Sequence, residues 1–300
     1  MSRETPWYAG RFKSSHGAQQ LLFGQMYEDA AIEQKAFENK GRVFCIASAG
    51  CTAIRLSGDH DVVACDINPV QLEYAERRVL GAGLVAGYVA GCAERAMAAA
   101  RAFAPLVGWS TRKVRAFLAL SDVTEQVEFW RSQLDTQRFR TSFEALLSRA
   151  ILRLVYAPEF LAFLPPNFGE ILRRRLESGF ARHANATNPF ARALLLGEPH
   201  DEPRPATCRV QFALGDAASY LECCPAGSFD AFSLSNILDG AQPSYRDRLS
   251  RAVRHAATKD AVVVLRSFAE PQPELITNHA QSDRALLWGV VDVRSAHLFE

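Results

Sequence analysis

Short apolar runs, each ending at small or acidic residues, predict the first strands of a sheet. Residues 43–46 and 62–65 are such runs, and an apolar run of this length that stops abruptly is typical of a buried strand. Residues 69–80 follow and predict the helix that returns the chain to the sheet. Asn68 is the predicted N-cap of this helix, and Pro69 stands at its first position, where a proline is favoured.

The last third of the chain has the strand pattern again. Residues 208–217, 228–239 and 260–268 are each predicted to form a strand, and residues 282–293 a final strand with its approach. A helix is predicted from Pro243 through about Ala257, on the same first-position preference for proline. This order of strands and helices predicts an α/β fold with a doubly wound, Rossmann-type sheet.

The middle of the chain has the apolar spacing of helices. Val123, Val127, Trp130 and Leu134 recur at steps of four, three and four residues, which places them on one helical face. We therefore predict a large helical insertion, a cap over the mouth of the sheet. The predicted regions are a lead-in or lid at 1–40, a sheet domain at 41–82 and 206–300, and the helical insertion at 83–205.

Composition narrows the function classes. A chain of 300 residues with 48% hydrophobic content can bury a full core, and a net charge of +1 argues against nucleic acid as a partner. The sequence has no apolar run of the roughly 18 residues that a membrane span requires, and no signal-peptide core at its N-terminus. Seven cysteines without a C-x-x-C pair predict no zinc framework, no other metal and no disulfide scaffold. A reduced, cytoplasmic protein is the expectation.

Positive charge is concentrated in the insertion. Residues 101–182 contain 13 arginines and lysines against 8 acidic residues, and the triplet at 173–175 dominates this excess. Two interpretations remain open. The triplet forms a solvated helix face, or it forms a patch that docks on an anionic membrane surface or steers an anionic acceptor.

Candidate chemistry centres on the loop after the first strand and on the acid that ends the second. Small side chains in the loop let a ligand approach the backbone, and Asp66 at the strand tip can hydrogen-bond both hydroxyls of a ribose. Only Gly50 is a glycine, so the loop lacks the G-x-G-x-x-G order of a pyrophosphate site. This predicts an adenosine without phosphates, with S-adenosylmethionine (SAM) as the candidate. The alternative is the ordinary strand–helix turn of any doubly wound sheet. The loop residues are Ala47, Ser48, Ala49, Gly50 and Cys51.

Two other segments carry candidate groups. Residues 15–29 predict either an amphipathic lead-in helix or a lid, in which Gln25, Tyr27 and Glu28 contact the amino-acid end of the cofactor. His183 is either a general base facing the acceptor or a structural histidine near a helix end.

Four motifs, at 23–29, 46–53, 66–72 and 235–239, together resemble the betaine-lipid synthase family over nearly the whole chain. The best-known members are SAM:diacylglycerol 3-amino-3-carboxypropyltransferases. The resemblance implies a class I SAM-methyltransferase-like sheet. It also implies transfer of the 3-amino-3-carboxypropyl arm of SAM to a diacylglycerol hydroxyl or a related acceptor, with release of methylthioadenosine.

The expected site residues follow from the resemblance and the strand tips. The loop forms a backbone cradle, Asp66 holds the ribose with Asn68 beside it, and Asp216 and Ala217 border the adenine. Ser235, Asn236 and Asp239 lie near the sulfonium, and Asp239 or Glu28 acts as the base. Cys45 stands where methyltransferases usually carry an acid that positions the amino-acid tail of SAM.

Alternatives to this function stay open at the level of sequence. They are a SAM-dependent methyltransferase, an enzyme that uses the same arm on a small-molecule acceptor or cyclises SAM itself, and a noncatalytic SAM-binding protein. A lipid acceptor implies contact with the membrane periphery and an apolar trough. Residues that supply such a trough, or equally an ordinary core, are Phe160, Leu161, Phe163 and Leu164.

Overall fold

The structure, a computed structural model, describes residues 5, 7, 9–12, 18–81, 87–200, 208–272 and 278–299. The predicted region boundaries at 82/83 and 205/206 lie outside the described residues, as do positions 15–17 of the predicted lead-in.

One six-stranded sheet organises the chain, in the order β3-β2-β1-β4-β5-β6. Neighbouring strands are parallel except for β6, which runs antiparallel to β5. Every predicted strand is present, and the last one begins later than its apolar approach suggested. The strands are β1 (Arg42–Ile46), β2 (Asp61–Asp66), β3 (Val210–Leu214), β4 (Phe229–Ser233), β5 (Ala257–Ser267) and β6 (Val290–Ser295).

Helices cover both faces of the sheet and fill the insertion. The helices that flank the sheet strands are α1 (Ala31–Ala36), α2 (Cys51–Leu56), α3 (Pro69–Leu80), α12 (Ala217–Glu222) and α13 (Pro243–Ala256). The helices of the insertion are α4 (Cys92–Ala102), α5 (Thr111–Leu118), α6 (Val123–Phe129), α7 (Gln137–Leu146), α8 (Arg149–Leu152), α9 (Pro158–Phe163), α10 (Phe168–Phe180) and α11 (Pro189–Leu196). A π-helical turn, Trp130–Leu134, extends α6, and short 3-10 turns are Ala104–Val107, Asn185–Thr187, Ala280–Ser282 and Ala296–Leu298.

Strand β1 shows how the sheet separates two cores. Val43 and Cys45 pack into the core on one face, while Phe44 packs into the core on the other. This is the period of two that a strand buried on both faces requires. Cys45 and Cys65, in the two strands predicted from the apolar runs at 43–46 and 62–65, are buried free thiols.

The predicted helix after β2 is confirmed at both ends, including its cap. Asn68 Oδ1 accepts a hydrogen bond of 3.1 Å from the amide of Val70, and Pro69 begins the helix. The Asn68 amide group also donates to the carbonyl of Gln20, 2.8 Å away. Asn68, which the sequence predicts only as a helix cap, therefore also holds the chain at Gln20 in place.

Of the two alternatives for the lead-in, the amphipathic helix is wrong for the residues that are described, because residues 18–29 are irregular with bends. Their amides bond to distant side chains instead of to a helix. Gln71 Oε1 accepts from the amides of Leu22 and Phe23 at 2.9 and 3.1 Å, and Glu94 Oε2 accepts from that of Gly24 at 2.8 Å. We call residues 18–30 the N-terminal segment.

The insertion has an aromatic core of its own, which includes Trp109, Phe117, Trp130 and Phe180. Helix α11 joins this core to the sheet, because Ala191 packs into it while its neighbour Phe190 packs against the sheet. No helix within the described ranges is long and apolar enough to cross a membrane.

The arginine triplet forms neither a continuous solvated face nor a continuous docking patch, the two interpretations considered above, because two of its three side chains bond within the protein. Arg173 pairs with the buried Asp135 at 3.0 Å. Arg175 donates to the carbonyls of Leu287, Phe268 and Ala269 at 3.0 to 3.1 Å. Arg174 is largely exposed, whereas Arg173 serves a contact within the insertion and Arg175 serves the contact between α10 and the end of the sheet.

Candidate functional site

A cleft lies at the carboxyl ends of β1, β2, β3 and β4, where ligands bind in open parallel sheets. Its empty space is about 690 Å³, including the mouth that opens to solvent. The predicted site residues that line it are Ser48, Asp66, Asn68, Asp216, Ala217, Ser235 and Asn236. Sequence reasoning therefore placed residues from four strand ends in one cleft.

Asp66 is fixed at the centre of this cleft by two backbone amides. Its Oδ2 accepts from Ser48 at 3.0 Å, and its Oδ1 accepts from Asn68 at 2.9 Å. Burial raises the pKa of this carboxyl from its ordinary value to about 6. A carboxylate oxygen has two lone pairs, so each oxygen can still accept a hydroxyl proton of a ligand.

The loop after β1 contributes less to the cleft than predicted. Ser48 is the only one of its five residues that lines the cleft, because the side chains of Ala47, Ala49 and Cys51 are buried. Gly50 has a φ of 84°, and a Cβ there would lie 3.3 Å from that of Ala75. The turn and the contact with α3 therefore require a glycine at this position. Of the five residues of the predicted backbone cradle, only Ser48 lines the cleft.

Asp216 caps helix α12 from the wall of the cleft. Its Oδ1 accepts from the amide of Ser219 at 2.9 Å, and its Oδ2 accepts from the hydroxyl of Tyr245 at 2.7 Å. Ala217 lies beside it and leaves space for a flat ring. Tyr245 of α13 also lines the cleft.

The residues after β4 divide between the cleft and the protein interior. Ser235, with a left-handed φ of 52°, and Asn236 line the cleft. Asp239 is 1% exposed and lies behind them. Its Oδ2 accepts hydrogen bonds from the backbone amide of Phe268 at 3.0 Å and from the side-chain amide of Asn236 at 3.4 Å. Burial raises its pKa to about 6. Since Asp239 does not line the cleft, its geometry fits positioning of Asn236 better than the predicted role of base.

Four other predicted residues, Gln25, Tyr27, Glu28 and His183, are also outside the cleft. Gln25 donates to the hydroxyl of Tyr27 at 3.0 Å and accepts from the amide of His200 at 3.0 Å. Both side chains are thus used within the protein, and the cleft is lined by Leu22 and Phe23 of the same segment instead. His183 does not line the cleft, and its Nε2 lies 3.1 Å from the carbonyl oxygen of Gln281. Burial lowers the pKa of its imidazole.

Gln71 is a cleft residue that sequence reasoning missed. Its Nε2 donates to the carbonyls of Ser48 at 2.9 Å and Phe23 at 2.8 Å, while its Oε1 holds two amides of the N-terminal segment. This single buried amide joins the loop after β1 to the segment that crosses the cleft. The sequence signals were its place in the first turn of α3 and within the motif at 66–72.

A buried ionic cluster lies behind Ser235. Arg266 is fully buried and bonds to both carboxylate oxygens of Glu33 and, at 3.0 Å, to Asp283. Ser235 donates its hydroxyl proton to Glu28 Oε1. Burial, with added repulsion from Glu33 and Asp283, raises the pKa of Glu28 to about 7. An arginine inside the apolar run 260–268 was the sequence signal for this cluster.

Aromatic side chains form the edge of the cleft away from β3. The ring of Trp7 lies 6.4 Å from that of Phe23 and 5.7 Å from that of Phe160 on α9. Phe160, Leu161 and Leu164 are buried in a small core, which is the second of the two roles considered for them. Among the described residues, no three histidine, cysteine or acidic side chains are grouped as a metal site would require.

The sheet order, its antiparallel last strand and a cleft at the carboxyl ends define a class I SAM-methyltransferase-like α/β fold. No protein-family model and no curated protein matches the chain. Among solved structures, the chain is similar to the rRNA methyltransferase aviRa from Streptomyces viridochromogenes. The two share 12% identity and a TM-score of 0.31, over 87% of this chain and 82% of the other.

Proposed function

We propose that the cleft binds SAM and that the protein is a SAM-dependent transferase of the 3-amino-3-carboxypropyl group. The observation that carries the proposal is the position of Asp66, whose carboxylate is held at the tip of β2 by the amides of Ser48 and Asn68. A carboxylate so placed can accept both hydroxyls of a ribose. The adenine would then lie toward Ala217 and Asp216, and the sulfonium toward Ser235 and Asn236.

Transfer of the arm instead of the methyl group is supported by the end of β1. Cys45 is a fully buried thiol, and burial raises its pKa, so this strand provides no carboxylate for the amino-acid tail of SAM. We infer that the tail is directed differently from that of a methyl donor and exposes its Cγ to the acceptor. Orientation alone can supply several kcal/mol of such a preference.

For the acceptor, we propose a hydroxyl compound with an apolar body, as in the betaine-lipid synthase family. Support comes from the aromatic edge of the cleft, where Trp7 and Phe23 face the same space as Asn236. Because Phe160 packs on Trp7, movement of α9 would open an apolar path next to the sulfonium. Such an acceptor would be met at the membrane periphery.

The test is incubation of the purified protein with methyl-labelled SAM and either diacylglycerol vesicles or a hydroxyl compound of low molecular weight. Arm transfer predicts labelled methylthioadenosine and an acceptor whose mass has increased by the four-carbon unit. Methyl transfer, the second candidate because the fold is shared with methyltransferases, predicts label on the acceptor. Methylthioadenosine without acceptor modification would indicate cyclisation of SAM, and no turnover of bound SAM would indicate a noncatalytic binding protein.

A further inference from the structure

We propose that Glu28, acting through the hydroxyl of Ser235, balances the positive charge of the sulfonium and receives the acceptor's proton as that charge disappears. The inference rests on the proposed function and assigns a charge-selecting role within the same cleft. Ser235 would be the group that touches the acceptor, and Glu28 the residue that acts through it.

Only one of the two carboxylate oxygens of Glu28 accepts a hydrogen bond from the described residues. The residue is 5% exposed, and its Oε1 accepts from Ser235, which lines the cleft. Its Oε2 has no hydrogen-bond partner among the residues that the structure describes. The nearest cation is Arg266 Nη1, at 3.8 Å. A buried carboxylate oxygen without a donor is costly, so it requires an explanation beyond packing.

The groups around Glu28 carry more negative than positive charge. Arg266 of β5 faces three carboxylates, those of Glu28, of Glu33 on α1 and of Asp283 before β6. It donates to the side chains of Glu33 and Asp283 and to the carbonyl of Asp29, and it makes no hydrogen bond to Glu28. From β1, the neutral thiol of Cys45 completes the surroundings. Such a cluster can lower its energy by holding a proton or by facing a cation in the cleft.

A sulfonium next to Ser235 supplies that cation only until the reaction occurs. In arm transfer the acceptor oxygen forms a bond to Cγ, and the Cγ–S bond breaks with its electron pair moving to sulfur. The acceptor's O–H proton passes to Ser235 Oγ while the Ser235 proton passes to Glu28 Oε1. The cation becomes a neutral thioether as the carboxylate becomes a neutral acid, so the net charge of the cluster and the ligand together is the same before and after transfer.

The same charge balance predicts how the site distinguishes donor from product. With Glu28 ionised, the cleft favours a cationic ligand over a neutral thioether of the same shape. With Glu28 protonated, that preference is lost. The pKa of Glu28, which burial raises to about 7, places this change within the range in which binding can be measured.

The experiment measures the affinities of SAM and S-adenosylhomocysteine by calorimetry between about pH 5 and 9, where a group of pKa near 7 titrates. These ligands share the adenosine and the amino-acid tail, but the sulfonium lowers the pKa of the α-amino group of SAM, so part of any pH dependence of the ratio belongs to the ligands themselves. Glu28→Gln measures that part, and it should give a low ratio that retains only this dependence. In the wild-type protein we expect the ratio, after this part is subtracted, to favour SAM by about tenfold more above the transition than below it, a usual size for coupled charges.

Two further variants keep the test decisive if Glu28→Gln does not fold. Asp283→Asn removes a negative charge beside Arg266 without touching Ser235, and it should move the transition in the ratio to lower pH. Ser235→Ala should retain the pH-dependent ratio and slow single-turnover transfer. If wild-type protein binds both ligands with a ratio that is flat with pH after the ligands' own part is subtracted, the inference is overturned and the proposed function stands. If neither ligand binds, the proposed function itself is wrong.

Discussion

The substitution Asp66→Asn tests whether Asp66 serves ligand binding or the stability of the fold. If Asp66 serves binding, the free energy of unfolding should stay the same or rise; if it serves the fold, the free energy of unfolding should fall. Burial raises the pKa of this carboxyl from 3.8 to about 6. The folded protein is therefore most stable when Asp66 is protonated, and this stability is lost as the pH rises through about 6. At neutral pH the ionised group destabilises the fold by about 3 kcal/mol, at 1.36 kcal/mol per pKa unit.

The substitution has a cost as well, because an amide has only one acceptor atom. Ser48 and Asn68 donate to different oxygens of Asp66, so one of these two backbone amides loses its acceptor in Asp66→Asn. An unsatisfied buried donor costs about 1–3 kcal/mol. The net expectation for the free protein is a free energy of unfolding that is unchanged or raised by up to about 2 kcal/mol at pH 7.

Ligand binding should change in the other direction. Loss of the charged acceptor for the ribose hydroxyls should cost about 1.5–3 kcal/mol, which is a weakening of SAM by roughly tenfold or more. Urea unfolding without ligand and calorimetry with SAM measure the two effects. Asp61→Asn is the matched control, since it makes the same change at the exposed opposite end of β2. A variant that lost more than about 2 kcal/mol of stability yet bound SAM normally would refute the binding role.

Three other substitutions test the contacts around the cleft. Asn68→Ala removes the acceptor for Val70 and the donor to the Gln20 carbonyl and should cost about 1–2 kcal/mol in urea unfolding. Asn68→Asp should restore only the part that belongs to the cap, since a carboxylate cannot donate to Gln20. Arg266→Met leaves the buried carboxylates without their cation and should cost about 3–5 kcal/mol at pH 7, an effect that should diminish at lower pH as those carboxylates protonate. Gly50→Ala combines a φ of 84° with a contact to Ala75 and should lower stability by about 1–2 kcal/mol, whereas an unchanged midpoint would contradict this account.

The features that could be predicted from the sequence are those that depend on local pattern. The strand at 62–65 and the helix at 69–80 follow from apolar runs, an asparagine cap and a first-position proline, all within a few residues of the element. The cleft residues at the ends of four strands follow from one geometric fact, that carboxyl ends of parallel strands lie together. The clustering of Asp66, Asp216 and Ser235 was therefore within reach of sequence reasoning.

The N-terminal segment could not be predicted in this way, because its conformation is set by side chains far along the chain. Gln71 and Glu94 accept the amides that a helix would have paired internally. The pattern of aromatic and polar residues in the segment contains no information about these partners. For the same reason Gln25 and Tyr27 were assigned to the cofactor, although the structure pairs them with each other.

The ionic cluster shows what a charged residue in an apolar strand indicates. Arg266 and Glu33 are 233 positions apart in sequence, so no local rule connects them. A buried arginine must nevertheless be paired, and its presence in β5 implies acidic partners that reach the sheet from other elements. Glu28, Glu33 and Asp283 are those partners, and only the fold could identify them.

The carboxylates next to Cys45 belong to α1 and to the N-terminal segment, and not to the strand. Cys45 presents an uncharged thiol, and its nearest acidic neighbours include Glu28. A carboxylate on a central strand is held in place by the sheet. Glu28 is instead held by a segment whose amides bond to the side chains of Gln71 and Glu94, and by its bond to Ser235. Part of the charge next to the cleft is therefore carried by the N-terminal segment, whose position is set by the side chains of Gln71 and Glu94.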